Sequence, residues 1–281
     1  MRRIGAGMRW GEGPRHHDGD LWLSDTQASR LWTGWGPTWR AFDLESPSNG
    51  LWFLPDGRLA GALMHARRIG VWNGTGWDDY ADLSAVAAGP LGDMVGDAHG
   101  NLYVDDVGFR HFVDEPRPGR ILLVRPDGTT EIATDAVEFP NGMAFIDGGS
   151  TLLVAESLRQ RLTAFTVTSS GRLEPAGTWA DIRKAVGAES FPDGIWAAGD
   201  TVWVATLTAT TVAAFRGGQL VESIDTSPRL PVAGCISGKG DLIVTLADTN
   251  GLTLAEAIAR QEVTTEAVVL RANELGDHRP P

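Results

Sequence analysis

An internal repeat constrains this chain more than any other feature. A glycine-centred turn, an apolar strand, a polar loop and a second apolar strand recur along it. The copies begin at Asp18-Gly19-Asp20-Leu21, Asp56-Gly57-Arg58-Leu59, His99-Gly100-Asn101-Leu102 and Gly148-Gly149-Ser150-Thr151-Leu152, with looser ones at Gly199-Asp200-Thr201-Val202 and Gly240-Asp241-Leu242. Six copies spaced by roughly 40 to 50 residues match the length of one propeller blade. A β-sandwich also contains many short strands, but nothing in a sandwich demands a regular six-fold repeat. The expected fold is therefore all-β, a six-bladed β-propeller. No Pro/Ser-rich linker interrupts the repeat, so a single domain over residues 1–281 is expected. Strands from the N-terminal stretch and from residues 267–271 should close the ring and remove exposed strand edges. Helical periodicity is confined to residues 252–260, where Leu254, Ala255, Ile258 and Ala259 would form one apolar face.

Aligning the copies on the turn glycine brings polar residues into one column. Glu12 stands seven residues before Gly19, Asp93 seven before Gly100 and Asn141 seven before Gly148. Asp193 stands six before Gly199, in a shorter hairpin, whereas Gly50 and Ala233 fill the column in the other two copies. This column is the start of each blade's innermost strand, which faces the propeller axis. Four oxygen-bearing side chains would then converge on one channel, and three carboxylates that close repel one another unless a cation sits among them. Oxygen donors suit a hard ion such as Ca²⁺ or Mg²⁺ and also accept Mn²⁺ or Zn²⁺. One divalent metal ion, with Ca²⁺ favoured, is the expected cofactor. Asn-Gly and Asp-Gly are also ordinary turn dipeptides. Their shared register, with Pro before both Asn141 and Asp193, favours a site.

Charge and cysteine content narrow the partners. A formal net charge of −12 with no Lys/Arg cluster disfavours nucleic acid. Cys235 is the sole cysteine, which rules out an intramolecular disulfide and a thiolate metal cluster. With no signal-peptide pattern and no membrane-length apolar run, the expected location is cytoplasmic and the sequon at Asn73 idle. A small-molecule substrate is the expected partner, with no membrane contact; the sequence leaves the oligomeric state open. Gly-x-Ser-x-Gly, P-loop and His-Glu-x-x-His motifs are all missing. The eleven tryptophans fall mostly in strands, as sheet-packing residues do. His16 and His17 read as turn or packing residues. His65 and His111 follow strand-like segments and are candidates for substrate contact at the channel mouth.

Four segments in order, Gly11-Glu12-Gly13-Pro14, Leu54-Pro55-Asp56-Gly57-Arg58-Leu59, Phe139-Pro140-Asn141-Gly142 and Phe191-Pro192-Asp193-Gly194, resemble the SMP-30/gluconolactonase/LRE-like family. The similarity runs from about Gly11 to Leu246. It implies a six-bladed propeller that binds one divalent cation through Glu12, Asn141 and Asp193. It also implies hydrolysis of a lactone, with Asp193 as general base. One departure stands out. Many relatives read Leu-Asn-Asp where this chain has Leu91-Gly92-Asp93, so Asp93 becomes a possible fourth ligand or a neighbour of the ligands, or a water fills the gap. Phosphotriester hydrolysis on the same site and a non-catalytic, ligand-binding propeller are the alternatives.

Overall fold

The computed structural model describes residues 1–110 and 113–271. Strand β1 (Arg2–Met8) comes first and waits for the other end of the chain. Blade 1 follows with β2 (Gly11–His17), β3 (Asp20–Asp25), β4 (Arg30–Gly34) and β5 (Arg40–Asp43). Blade 2 holds β6 (Ser48–Phe53), β7 (Leu59–Leu63), β8 (Arg68–Trp72) and β9 (Trp77–Asp82). Blade 3 holds β10 (Leu91–Gly96), β11 (Leu102–Asp106), β12 (Gly119–Val124) and β13 (Thr130–Val137). In blade 4 are β14 (Pro140–Ile146), β15 (Thr151–Glu156), β16 (Arg161–Val167) and β17 (Leu173–Asp181). After a short helix α1 (Ile182–Ala185), blade 5 contains β18 (Pro192–Ala198), β19 (Thr201–Thr206), β20 (Thr211–Arg216) and β21 (Gln219–Asp225). Blade 6 takes β22 (Leu230–Ile236), β23 (Leu242–Asp248) and, beyond helix α2 (Leu254–Arg260), β24 (Thr264–Arg271), and β1 completes it as the outermost strand.

Each innermost strand touches the innermost strand of the next blade, and β22 touches β2, so the six sheets form a closed ring. The fold is a six-bladed β-propeller. Closure depends on β1, which pairs antiparallel with β24 from Arg2 opposite Val269 to Met8 opposite Thr265. Ile4 and Met8 are buried in this seam with Ala267 and Val269.

Within and between blades the packing is aromatic on glycine. A Cβ at Gly61 would stand 2.6 Å from the Trp77 ring, and Trp196 covers Gly234 and Trp52 covers Gly96 in the same way. The missing side chain opens a slot for an indole, so these tryptophans are packing residues. Helix α2 is shorter than its periodicity suggested. Thr253 caps it, accepting from the Glu256 backbone N–H while Glu256 answers in a capping box. Its inner face is Leu254, Ala257 and Ile258, whereas Ala255 and Ala259 are exposed, so the expected face holds at two of its four positions. Among the described residues no helix is long and apolar enough to cross a membrane.

Candidate functional site

Every innermost strand carries a register shift near its start: between Glu12 and Arg15, Ser48 and Leu51, Leu91 and Met94, Pro140 and Met143, Pro192 and Ile195, and Pro231 and Gly234. A bulge re-aims the side chains beside it. Aligning the blades on the pair that precedes the bulge, Gly11 opposite Asp25, Ser48 opposite Leu63, Leu91 opposite Asp106, Pro140 opposite Glu156, Pro192 opposite Thr206 and Pro231 opposite Leu246, rather than on the turn glycine, corrects the column. Glu12, Asn141 and Asp193 share one register with Asn49, Gly92 and Val232. Asp93 falls one position later, with Gly13, Gly50, Gly142, Gly194 and Ala233.

That later position faces the backbone of the next blade. A Cβ at Gly13 would stand 2.9 Å from the Asn49 carbonyl oxygen, and one at Gly194 would stand 2.7 Å from Ala233 Cα. Small residues after the polar ones therefore permit close blade packing. Asp93, the exception, lines a narrow lower section of the channel together with Arg15. Arg15 is held there by donating to the carbonyls of Pro14 and Met94, both at 2.8 Å, with its guanidinium over Trp52. Burial raises the Asp93 carboxyl pKa, and the Arg15 charge opposes that rise.

Glu12, Asn49, Asn141 and Asp193 lie on the floor of one cavity of about 460 Å³ at the end of the channel where the innermost strands begin. Asp25 first fixes the segment, accepting from the backbone N–H groups of Arg9 and Trp10 at 2.9 and 3.0 Å. Trp10 then donates its indole N–H to Glu12 Oε1 at 2.7 Å, while Glu12 Oε2 is buried with no hydrogen-bond partner. Asn49 Oδ1 is likewise buried without a partner. Asn141 donates to Ser157 Oγ at 3.4 Å, and Ser157 in turn donates to the Pro192 carbonyl beside Asp193.

A fifth oxygen donor comes from outside the column. Asp105, at the end of β11 and almost fully buried, fills the space that a side chain at Gly92 would need: a Cβ there would overlap Asp105 Oδ1. Its Oδ2 accepts from the Asp93 backbone N–H at 2.6 Å, and its Oδ1 has no partner. The gap at Gly92 is thus filled by a carboxylate from the neighbouring strand.

Crowding and desolvation make these carboxyls poor acids. Asp193 is pushed up to about 8, first by burial and then by the Asp93 charge, against the hydrogen bond from Asn141. Glu12 is raised well above the usual range by burial, then by Asp193 and Asp93. Burial and Asp93 do the same to Asp105. Partnerless buried oxygens beside unfavourably close carboxyls are the environment that a bound cation relieves. Among the described residues, no three histidine, cysteine or carboxylate side chains stand close enough to hold an ion by themselves. A donor set at this floor would have to include the amide oxygens of Asn49 and Asn141.

His65 lines the cavity at its rim. His111 lies outside the described residues. His16 and His17 sit at the opposite end of the channel, His16 accepting from the Gly238 backbone N–H and His17 stacked on Phe53 at 3.9 Å. Their packing role holds. Sequence reasoning missed Asn49 and Asp105. Asn49-Gly50 repeats the Asn141-Gly142 dipeptide and was findable. Asp105 carries no comparable mark.

Comparison with known proteins agrees with the architecture. The family profile described as the SMP-30/gluconolactonase/LRE-like region matches residues 10–248. A solved luciferin-regenerating enzyme superposes with a TM-score of 0.78 at 16% identity, covering 98% of this chain and 96% of its own. A calcium-binding regucalcin from Agrobacterium tumefaciens gives 0.76 at 17% identity, covering 99% and 98%. A gluconolactonase from Xanthomonas campestris gives 0.71 at 19% identity, covering 87% and 88%. No curated protein matches the chain significantly in sequence. With the profile spanning most of its length, the chain belongs to the SMP-30/gluconolactonase/LRE-like family.

Proposed function

We propose that this propeller is a divalent-metal-dependent hydrolase that opens a lactone. The observation that carries the reading is the convergence of Glu12, Asn141 and Asp193 beneath an open cavity, with partnerless buried oxygens on Glu12, Asn49 and Asp105. Membership of a family named for gluconolactonase, and the resemblance to a calcium-binding regucalcin, support it.

Glu12, Asn141 and Asp193 would hold the ion, with the Asn49 amide available to complete the set. When bound, a hard divalent cation supplies Lewis-acid polarisation of the ester carbonyl. The chain supplies the remaining parts. Trp10 fixes Glu12 through the indole N–H, so one carboxylate oxygen stays turned toward the cavity. Asp193 accepts the proton of the attacking water as its oxygen bonds to the lactone carbonyl carbon. The ring C–O bond then breaks, and Asp193 returns that proton to the departing alkoxide. Asn141, bonded to Asp193, keeps its carboxylate oriented.

The test is a lactone panel assayed after exhaustive chelation and again after adding Ca²⁺, Mg²⁺, Mn²⁺ or Zn²⁺. Activity lost on chelation and restored by one of these ions is expected. Full activity in chelator removes the metal from the reading. No turnover of any lactone, with metal bound, leaves a ligand-binding propeller.

A further inference from the structure

Hairpins between the second and third strands of the blades line the cavity mouth, and in this ring most of these hairpins are short: residues 26–29, 64–67, 157–160 and 207–210. Two are far longer, residues 107–118 in blade 3 and 249–263 in blade 6. Blades three apart in a ring of six stand on opposite sides of the channel, so these two segments face each other across the cavity mouth.

Both turn apolar side chains inward. Phe109 and Val113 line the cavity from the blade 3 segment, and Leu254 and Ile258 line it from helix α2. Phe139 and Leu207 continue the apolar wall at blades 4 and 5. The helix is held in place as part of the core, with Ala257 fully buried and Leu254 and Ile258 packed against the cluster containing Trp10 and Val232. Phe109 meets Phe139 edge to face at 5.6 Å. Arg110, whose guanidinium lines this wall, is committed to Asp114 through two hydrogen bonds, at 2.8 and 3.0 Å. Among the described residues, uncommitted polar side chains at the rim, Thr26, Gln27 and His65, are confined to blades 1 and 2.

A polyhydroxylated ring needs donors and acceptors around its whole edge, because each hydroxyl buried without a partner costs binding. Among the described residues, this cavity offers them on its floor and one side only. Its volume, about 460 Å³, falls within the range that encloses a drug-sized molecule. We infer that the substrate is a lactone carrying an alkyl or aryl body, its ester seated on the Asp193–Asn141 floor and its apolar body lying against the wall made by Phe109, Val113 and helix α2. The inference rests on the lactonase reading for the ester end and on the wall for the body.

The experiment uses the full chain, loaded with the metal that supports activity, and γ-lactones of increasing alkyl length beside glucono-δ-lactone. Specificity measured as kcat/KM should rise by about four-fold per added methylene until the cavity is full, the ratio expected from hydrophobic transfer. Glucono-δ-lactone should be poorer than the longer alkyl lactones. Ile258→Asp, at a half-buried position, should abolish the chain-length dependence. Val113→Asp, at an exposed position, should reduce the same dependence without burdening the fold.

Preference for the sugar lactone, with no dependence on alkyl length, overturns this inference and leaves lactone hydrolysis standing. Should no lactone be hydrolysed, the hydrolase reading fails, and calorimetry with alkyl lactams of the same lengths decides the occupant. A Kd that falls about four-fold per methylene sustains it. A Kd indifferent to length overturns it.

Discussion

Gly92 and Asp105 compete for one space: the carboxylate of Asp105 occupies the volume that any side chain at residue 92 would enter. The exchange couples two adjacent strands of blade 3 at the floor of the channel. A Gly92→Asn substitution should therefore displace Asp105 and orphan the Asp93 backbone N–H that it now satisfies. A buried unsatisfied donor costs about 1–3 kcal/mol, so the melting temperature should fall. Adding Asp105→Gly should recover part of the loss, with a coupling of about 1 kcal/mol or more in a double-mutant cycle by denaturant unfolding. Strict additivity would show that the two residues do not share the space.

Without metal, the channel carboxyls set a pH dependence of stability. Asp193 holds its proton up to about 8 in the folded chain, against an ordinary carboxyl value of 3.8. Glu12, Asp93 and Asp105 shift the same way. Between those limits the folded state binds more protons than the unfolded state, so raising the pH favours unfolding. The melting temperature of the chelated protein should fall from pH 5 to pH 8, a window above the titration of the exposed, ion-paired carboxylates. Added Ca²⁺ should flatten the decline, since cation binding substitutes for the protons. A flat profile in chelator would show that these carboxyls are not buried as described.

Ring closure by the first strand makes a further prediction. Deleting residues 1–8 removes β1, unpairs the edge of β24 and exposes the seam around Ile4 and Met8. Burying a large aliphatic side chain contributes about 1.5–3 kcal/mol. Loss of two such residues and a whole strand should lower the melting temperature markedly in a thermal scan. A truncated chain that melts like the full one would mean that blade 6 stands on three strands.

The architecture was legible because blade packing repeats the same sequence pattern, and three floor residues were legible because each precedes a glycine that the next blade requires. Asn49 was missed for a geometric reason. The hairpin after β6 pairs Phe53 with Leu59, and the one after β10 pairs Gly96 with Leu102, whereas blade 1 pairs His17 directly with Asp20. Counting back from the turn glycine through a longer hairpin ends one residue late, on Gly50 and Asp93 instead of Asn49 and Gly92. Asp105 was hidden because it reaches the channel from a second strand, through a vacancy that only the packed structure reveals. Helix α2 was visible in the periodicity, but its inward face is set by the Trp10 cluster it packs on.

The central claim is that Glu12, Asn141 and Asp193 hold one divalent ion, and calorimetric titration of the chelated full chain with Ca²⁺ tests it most directly. One ion per chain is predicted. Glu12→Gln, Asn141→Ala and Asp193→Asn should each weaken its affinity about ten-fold or more, the equivalent of at least ~1.4 kcal/mol per lost ligand. Asp93→Ala, deeper in the channel beside Arg15, should cost less. Unaltered affinity in all three primary variants, or no calcium binding by the parent chain, would contradict the account.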